Sequence, residues 1–265
     1  MSPAPLHVPS EFCRNAGSTD DLRDDEASVN SGAWLLDHMC EHLGVPDLGE
    51  LEVLDFGCGV RFAQTIVNRA LAIKRYVGVD VYRDMIDFLV ANVGDPRLEF
   101  LHLDAHNDRY NPTGRPLAVV ADALPIERNR FDLICLFSVF THLAPHDYGA
   151  MLRVLRRFVR PTGRLFFTLF INEKTEGGHG LMDTFGRALV ASSDSGVKAA
   201  IASRARSAER PGPPDFLDLD PRQPLLFAVY SRRHALELIE GTGWEVLSVS
   251  DPGIHLQHHI VCAPS

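Results

Sequence analysis

Long hydrophobic runs are missing from this sequence of 265 residues, since no stretch approaches the roughly 18 apolar residues that cross a bilayer. The first residues, MSPAPLHVPSEF, lack a basic segment followed by an apolar one, so a signal peptide is not expected. Cysteine is scarce. The five cysteines are an odd number, and they do not stand at the close spacing that is typical of metal ligands. These absences favour a reducing, cytoplasmic location without a membrane span.

Positive charge is also in short supply: 26 Lys and Arg stand against 35 Asp and Glu, for a net charge of −9. Such a chain is a poor partner for phosphate backbones, so nucleic acid is not expected as a substrate. The arginines of one basic cluster recur at helical spacing, and we interpret them as a solvated helix face: Arg153, Arg156, Arg157 and Arg160. No feature of the sequence fixes the oligomeric state.

Strands and helices alternate along most of the chain. Residues 1–28 are polar and acidic and predict a mobile N-terminal arm, and a helix is predicted from about Val29 to Leu43. Five strands then follow, with helices between them: LEVLDF, RYVGVDV, LEFLHLD, FDLICLF and RLFFTLF. This alternation predicts an α/β fold, doubly wound around a mostly parallel sheet. After strand five, an insertion at 172–228 precedes one more helix and two strands, WEVLSVS and LQHHIVCA, within a domain of residues 29–265.

The segment VLDFGCG, residues 53–59, lies at the end of the first strand. Gly57 and Gly59 allow a sharp turn and a close approach of the backbone to a ligand, and the next helix directs its free N–H groups to the same place. Asp55 supplies an acceptor there. At the end of the second strand, Asp80 can receive both hydroxyls of a ribose. Together these features predict a nucleoside site at the carboxyl ends of the strands.

The third glycine of a dinucleotide-binding G-x-G-x-x-G motif is replaced by Phe62. A phenylalanine there hinders the close approach of a pyrophosphate. The pattern Asp55-x-Gly57-x-Gly59 instead suits a nucleoside with an amino acid end. An NAD-dependent oxidoreductase is therefore the less favoured alternative.

The sequence resembles the class I methyltransferase family through VLDFGCG, YVGVDV, FLHLDA, LPIERNRFDLICLFSVFTHL and LRRFVRPTGRLFFTLF, over about residues 50–170. The resemblance implies S-adenosyl-L-methionine as methyl donor, S-adenosyl-L-homocysteine as product, and a seven-stranded sheet of order 3-2-1-4-5-7-6 with an antiparallel last strand. It also implies the donor-binding residues. Asp55, Phe56, Gly57, Cys58 and Gly59 hold the methionine end, Asp80 and Val81 the ribose, Asp104 and Ala105 the adenine, and Phe137 and Ser138 close the pocket beside the methyl group.

Several assignments stay open from the sequence. Asp122 competes with Asp104 for the adenine, and Arg61 either points outward or reaches an acceptor carboxylate. His142 is a candidate general base, with local packing or helix capping as the alternative. Cys58 is interpreted as a small core residue. The C-terminal histidines are interpreted as solvated or edge-strand residues, with no metal site expected: His255, His258 and His259.

The acceptor is expected to be a small molecule, with an oxygen of a sugar, lipid or secondary metabolite receiving the methyl group. The insertion at 172–228 is expected to form a lid over the acceptor, lined by Phe185, Leu189, Phe216 and Tyr230. A non-catalytic protein that binds S-adenosylmethionine as a sensor or scaffold is the alternative function. An RNA or protein methyltransferase is a further alternative. Against RNA stand the acidic charge balance and the absence of an Asn-Pro-Pro-aromatic tetrapeptide from LFSVFTHL.

Overall fold

The computed structural model describes residues 5–12, 24–107, 110–173, 215–218, 225–251 and 257–265. The chain forms two compact units. The first comprises Met1–Leu136 and Arg157–Phe166, and the second comprises Phe137–Arg156 and Phe167–Ser265. Among the helices that the structure describes, none is long and apolar enough to span a membrane.

The first unit alternates helices with parallel strands. Its elements are α1 (Asp25–Leu43), β1 (Leu48–Phe56), α2 (Arg61–Asn68), β2 (Ile73–Asp80), α3 (Arg83–Asn92), β3 (Leu98–His102), the short α4 (Leu117–Val120) with a 3-10 helix (Ala121–Ala123), and β4 (Phe131–Leu136). The strand order is β3-β2-β1-β4-β5, where β5 is Val159–Ile171. The pairs β1–β2, β1–β4 and β2–β3 are parallel.

The second unit contains a 3-10 helix (Phe140–His142), α5 (Pro145–Leu155), the end of β5, β6 (Phe216–Asp218), β7 (Ala228–Tyr230), α6 (Arg232–Glu237), β8 (Trp244–Ser250) and β9 (His258–Pro264). Here β9 pairs with β5 and, in antiparallel fashion, with β8. The expected strand order is thus confirmed when β9 and β8 are counted as strands seven and six. Two three-residue strands, β6 and β7, were not predicted; β7 pairs in parallel with β5 and antiparallel with β6.

Burial explains why the central strands were readable from the sequence. Five of the six residues of β4 are buried, as are the last four of β1 and the last seven of β5. A strand covered by helices on both faces has no solvated side, so its residues are continuously apolar. The runs ICLF and LFFTLF have this composition.

Residues 5–12 and 24–28, the part of the predicted mobile arm 1–28 that the structure describes, differ from that prediction. Helix α1 begins at Asp25, because the side chain of Asp24 accepts the N–H of Ala27 and caps the helix. Leu6 and Val8 are buried. The backbone N–H of Leu6 donates to Oδ1 of Asn68 at 2.7 Å, and its carbonyl accepts Nδ2 of Asn68 at 3.1 Å. Residues 5–12 and 24–28 are therefore packed segments of the first unit.

The interpretation of the arginine cluster as a solvated helix face is wrong for two of its four members. Helix α5 ends at Leu155, and the Nε of Arg156 donates to the carbonyl of Gly243 at 2.9 Å. Arg160 lies in β5, where its guanidinium donates to Asp132 and to the carbonyl of Arg130. These side chains connect segments of the protein itself, which leaves them unsuited to binding a nucleic acid backbone.

Candidate functional site

The loop after β1 is a tight turn attached to the end of β2. Gly57 and Gly59 have φ values of 80° and 53°, in the left-handed region that other residues rarely adopt. The N–H groups of Gly57 and Cys58 both donate to the carbonyl of Val79, at 2.7 and 3.1 Å. Helix α2 then begins at Arg61, and its N-cap residue, Val60, makes no side-chain capping bond. The first N–H groups of α2 thus face this loop without a side-chain cap.

Asp80 lies between two loops and is held by both. Its Oδ2 accepts the N–H of Gly59 and its Oδ1 accepts the N–H of Tyr82, each at 3.0 Å. Burial raises the pKa of the Asp80 carboxyl, and the backbone bonds from Tyr82 and Gly59 oppose that shift. The backbone of Val81 also bonds this carboxyl. A carboxylate accepts about four hydrogen bonds, so acceptor capacity remains for a ligand. The geometry therefore presents a fixed, bidentate acceptor at the end of β2.

Asp55 lies beneath the loop, not on its surface. Its side chain is almost fully buried, accepts the hydroxyl of Tyr76 at 2.6 Å and is hydrogen-bonded to the thiol of Cys135. Burial raises the pKa of Asp55 to about 7, while these two bonds lower it. Asp55 thus ties β1 to β2 and β4 at the point where the turn leaves the sheet.

Cys58 and Phe62 fill the space around the turn. Cys58 is buried, and burial raises the pKa of its thiol well above the ordinary value. A Cβ on Gly78 would come within 2.9 Å of the Cys58 sulfur, so this cysteine packs closely against β2. Phe62 is also buried. Both side chains behave as core residues, which suits neither a nucleophilic thiol nor a pyrophosphate-binding helix start.

Arg61 is directed to helix α1. Its Nη1 donates to Oγ of Ser31 at 3.4 Å. The α1–α2 contact is close at this point, because a Cβ on Gly32 would lie 3.1 Å from Cγ of Arg61. Contact with α1 was not among the two arrangements that the sequence left open, an outward orientation and a bond to an acceptor carboxylate.

The end of β3 supplies polar groups near Asp80. His102 is paired in register with Asp80, and its Nε2 lies 3.2 Å from the carbonyl of Val81 while its Nδ1 lies 2.9 Å from Arg83. Since a carbonyl accepts and a guanidinium donates, both contacts are satisfied when Nε2 donates and Nδ1 accepts. Val81 is therefore held by its carbonyl at the β3 side of the site.

Asp104 is engaged by the loop that follows it. It accepts Nδ2 of Asn111 at 3.2 Å and Nε of Arg115 at 3.3 Å. The bond from Asn111, supported by Arg115, lowers the pKa of this exposed carboxyl. Ala105 is buried next to it. Asp122 belongs to the 3-10 helix Ala121–Ala123, and its side chain lies outside the described residues.

In the second unit, Phe137 and Ser138 directly follow β4. Phe137 is half-buried and Ser138 is exposed. Ser138 has a φ of 57°, a strained value for serine. Its N–H donates to Oγ1 of Thr168 at 2.8 Å, and its hydroxyl is bonded to the side chain of Gln257. These bonds hold the strained residue in place, and strain of this kind is frequent at functional sites.

His142 ends the 3-10 helix that follows Ser138. Its Nδ1 lies 3.0 Å from the carbonyl of Leu225. Because a carbonyl only accepts, Nδ1 carries the proton, and the neutral ring has its lone pair on Nε2. This is the tautomer in which Nε2 can act as a base.

Of the four predicted lid residues, the structure describes two. Phe185 and Leu189 lie outside the described residues. Phe216 is half-buried and its ring centroid lies 5.2 Å from that of Tyr230. Tyr230 is fully buried and donates its hydroxyl to the carbonyl of Leu143 at 2.5 Å. Tyr230 is therefore a core residue of the second unit.

The interpretation of the C-terminal histidines as solvated or edge-strand residues is wrong for His258 and His259, which are buried in β9. His255 lies outside the described residues. Nε2 of His258 lies 2.6 Å from Oε1 of Glu173. Glu173 and Asp251 approach His258 closely enough for a cation site, but both carboxylates already contact the guanidinium of Arg232, at 2.5 and 3.5 Å.

Glu173 was not predicted from the sequence. This residue follows the buried strand β5 by two positions, and its pKa falls to about 2, because the bonds from His258 and Arg232 outweigh the opposing effect of burial. The available signal was its place just after an apolar strand, which resembles the place of Asp80 at the end of β2.

Comparisons with known proteins agree with this geometry. The sequence profile of a family described as "Methyltransferase domain" matches residues 54–167, which contain the turn, Asp80, β4, Ser138 and His142. Three solved structures are similar in fold. The PH0226 protein of Pyrococcus horikoshii OT3 has 15% identity and a TM-score of 0.53, with 94% of this chain and 100% of that chain covered.

A methyltransferase of Leishmania major that depends on S-adenosylmethionine has 12% identity and a TM-score of 0.54, with 95% and 80% covered. Magnesium protoporphyrin IX methyltransferase of Synechocystis PCC 6803, solved with bound S-adenosylhomocysteine, has 12% identity and a TM-score of 0.51, with 97% and 92% covered. At these identities the structures establish the fold, and the sequence profile identifies the domain. This chain therefore contains a methyltransferase domain, on a fold that it shares with S-adenosylmethionine-dependent methyltransferases.

Proposed function

We propose that this methyltransferase transfers the methyl group of S-adenosylmethionine to an oxygen of a small-molecule acceptor, a hydroxyl or carboxylate of a sugar, lipid or secondary metabolite. The observation that carries the donor side is the Asp80 carboxylate, fixed through both oxygens by the N–H groups of Gly59 and Tyr82. A fixed carboxylate at the end of the second strand suits the vicinal hydroxyls of a ribose.

The residues present fit the donor. A Cβ on Gly59 would meet no atom within 4 Å, so the turn has open space beside it for a ligand. The uncapped N–H groups at the start of α2 suit the carboxylate of the methionine end. We propose that Asp55 acts beneath the turn with Phe56, Gly57, Cys58 and Gly59 at the methionine end, that Val81 joins Asp80 at the ribose, that Asp104 and Ala105 line the adenine, and that Phe137 and Ser138 lie beside the methyl group.

S-adenosylmethionine supplies a methyl group that its sulfonium has already activated, so the protein has three tasks: to align the acceptor, to exclude water and to receive a proton where one is released. For a hydroxyl acceptor, we assign the proton to Nε2 of His142. The bond from Nδ1 to the carbonyl of Leu225 supports this role, because it leaves Nε2 as the basic nitrogen. A carboxylate acceptor requires no base.

A small acceptor is supported by charge and by the use of the arginines. The net charge is −9, and Arg156 and Arg160 are bound to groups of the chain itself. One structural neighbour is a methyltransferase of magnesium protoporphyrin IX, so the fold accommodates small-molecule acceptors. The four described cysteines are free and buried, which supports a cytoplasmic location: Cys40, Cys58, Cys135 and Cys262.

We also propose that the insertion at 172–228 shapes the acceptor site. Most of it lies outside the described residues, so the proposal rests on its length and on its place directly after β5. Deleting residues 178–226 should abolish methyl transfer while S-adenosylhomocysteine still binds. If methyl transfer persisted after the deletion, the insertion would not be needed for the acceptor site and this proposal would be wrong.

The experiment for the function is a turnover screen. The purified chain is incubated with S-adenosylmethionine and a library of sugars, lipids and phenolic or carboxylic metabolites, and methylated products are identified by mass spectrometry. An O-methylated product is the expected result. If S-adenosylhomocysteine binds but only nitrogen, protein or RNA becomes methylated, the proposed acceptor class is wrong.

The same assay tests His142. With a hydroxyl acceptor, His142→Gln should lower kcat by about 100-fold, the scale at which a positioned base contributes. With a carboxylate acceptor the substitution should change kcat little. The matched control is His146→Gln, because His146 is an exposed histidine of the neighbouring helix α5.

A further inference from the structure

The N-terminal segment 5–12 runs along the first unit from α2 to α3. At one end, the carbonyl of Leu6 accepts hydrogen bonds from the side chains of Asn68 and Gln64. Gln64 is fully buried and also bonds Asp25 and Ser28 of α1. This end of the segment is therefore anchored by buried groups of α1 and α2.

At the other end, Phe12 contacts two aromatic residues of the α3 region. Its ring centroid lies 5.8 Å from that of Tyr82 in an edge-to-face arrangement, and 5.2 Å from that of Phe88. All three side chains are half-buried. Aromatic pairs at these separations attract one another beyond the effect of the area that they bury.

Tyr82 connects this aromatic cluster to the donor site. It is the residue before the first turn of α3, and its backbone N–H donates to Oδ1 of Asp80 at 3.0 Å. A shift of Tyr82 would move that donor and, with it, the plane of the carboxylate. We propose that Phe12 is a positioning residue of the donor site, which holds Tyr82 so that Asp80 is turned toward the ribose; this rests on the proposed role of Asp80.

Phe12 is suited to this role rather than to a purely structural one. The buried residues of its segment are Leu6 and Val8, whereas Phe12 remains partly exposed. Its removal therefore costs little core area. The effect expected from its contacts is local, on the Tyr82 backbone and the carboxylate bound to it.

The test measures binding of S-adenosylhomocysteine to the full chain by calorimetry, beside an analogue that lacks both ribose hydroxyls. Phe12→Ala should weaken S-adenosylhomocysteine about threefold to tenfold, the scale of one or two aromatic contacts. The analogue should bind Phe12→Ala and the wild type equally. Phe12→Tyr should restore the wild-type affinity, since it retains the ring.

A stability control separates positioning from general loosening. Val261→Ala, in a buried position of β9, should lower the midpoint of thermal unfolding and leave both affinities unchanged. Equal affinity of Phe12→Ala and wild type for S-adenosylhomocysteine would overturn the inference. If Phe12→Ala weakened the binding of both ligands equally, the inference would also be overturned, because the effect would then not depend on the ribose hydroxyls. A wild type that binds neither ligand would instead overturn the proposed function itself.

Discussion

The N–H of Gly59 donates to Oδ2 of Asp80 at 3.0 Å, which joins the glycine turn of β1 to the acid of β2. Gly59 and Asp80, 21 positions apart in the sequence, are thus joined directly. The turn and the carboxylate cannot move independently. A substitution that displaces the turn should therefore also displace the Asp80 carboxylate, which we assign to the ribose.

Gly59→Ala tests this connection. At a φ of 53°, alanine costs about 1–2 kcal/mol, and relief of that strain moves the N–H away from Asp80. We expect a lower free energy of unfolding in urea and weaker binding of S-adenosylhomocysteine. Gly94→Ala is the control, because a Cβ there meets open space. If Gly59→Ala binds as tightly as the wild type, the turn and Asp80 are not coupled.

The crossing of α1 and α2 predicts a second effect. A Cβ on Gly32 would overlap Oγ1 of Thr65 and lie 3.1 Å from Cβ of the same residue. Gly32→Ala should therefore lower the free energy of unfolding by about 1–3 kcal/mol, in spite of the better helix propensity of alanine.

A double-mutant cycle checks the cause of that loss. In a Thr65→Ala background the overlap with Oγ1 is gone, so Gly32→Ala should cost much less than it does alone. The four proteins are compared by urea denaturation. Strictly additive effects would show that Gly32 and Thr65 do not limit the approach of the two helices.

Asp55 gives the stability a pH dependence of known sign. Its pKa is raised by burial from 3.8 to about 7, so between these values the native chain binds more protons than the unfolded chain. The free energy of unfolding should therefore fall as the pH rises through this interval, with a slope of at most about 1.4 kcal/mol per pH unit from this group. Asp80, whose pKa is also raised by burial, contributes in the same direction.

The Asp55→Asn variant should flatten this dependence between pH 4 and 7, as measured by urea denaturation across the range. The control is Asp95→Asn. Hydrogen bonds from Arg97 lower the pKa of Asp95 from its ordinary 3.8, so this group stabilises the fold at higher pH and its contribution is lost only as the pH falls below that value. Asp95→Asn should leave the slope between pH 5 and 7 unchanged. An unaltered slope in Asp55→Asn would mean that Asp55 is ionised at neutral pH.

The parallel strands were predictable because helices cover both faces of the sheet, which makes segments such as Phe131–Leu136 continuously apolar. The turn at Gly57 and Gly59 was predictable because positive φ values require glycine. Asp80 was predicted for a related reason: a polar residue that ends a buried strand lies at the edge where ligands bind.

The remaining errors arise from contacts between distant residues. The segment DDEAS was assigned to a mobile arm, but Asp24 caps α1, and Leu6 is bound by Gln64 and Asn68, about 60 positions away. Arg160 continues the helical spacing of the arginines, yet it lies in β5 and pairs with Asp132. The bond that the hydroxyl of Tyr76 donates to Asp55 likewise could not be predicted from the sequence.

The central claim is that Asp80 binds the ribose of the methyl donor, and calorimetric titration with S-adenosylhomocysteine tests it most directly. Asp80→Asn should weaken binding by about 10- to 100-fold, the scale of one or two hydrogen bonds to a charged group. The control, Asp87→Asn on the exposed face of α3, should bind like the wild type. Equal affinities of Asp80→Asn and wild type would contradict the account.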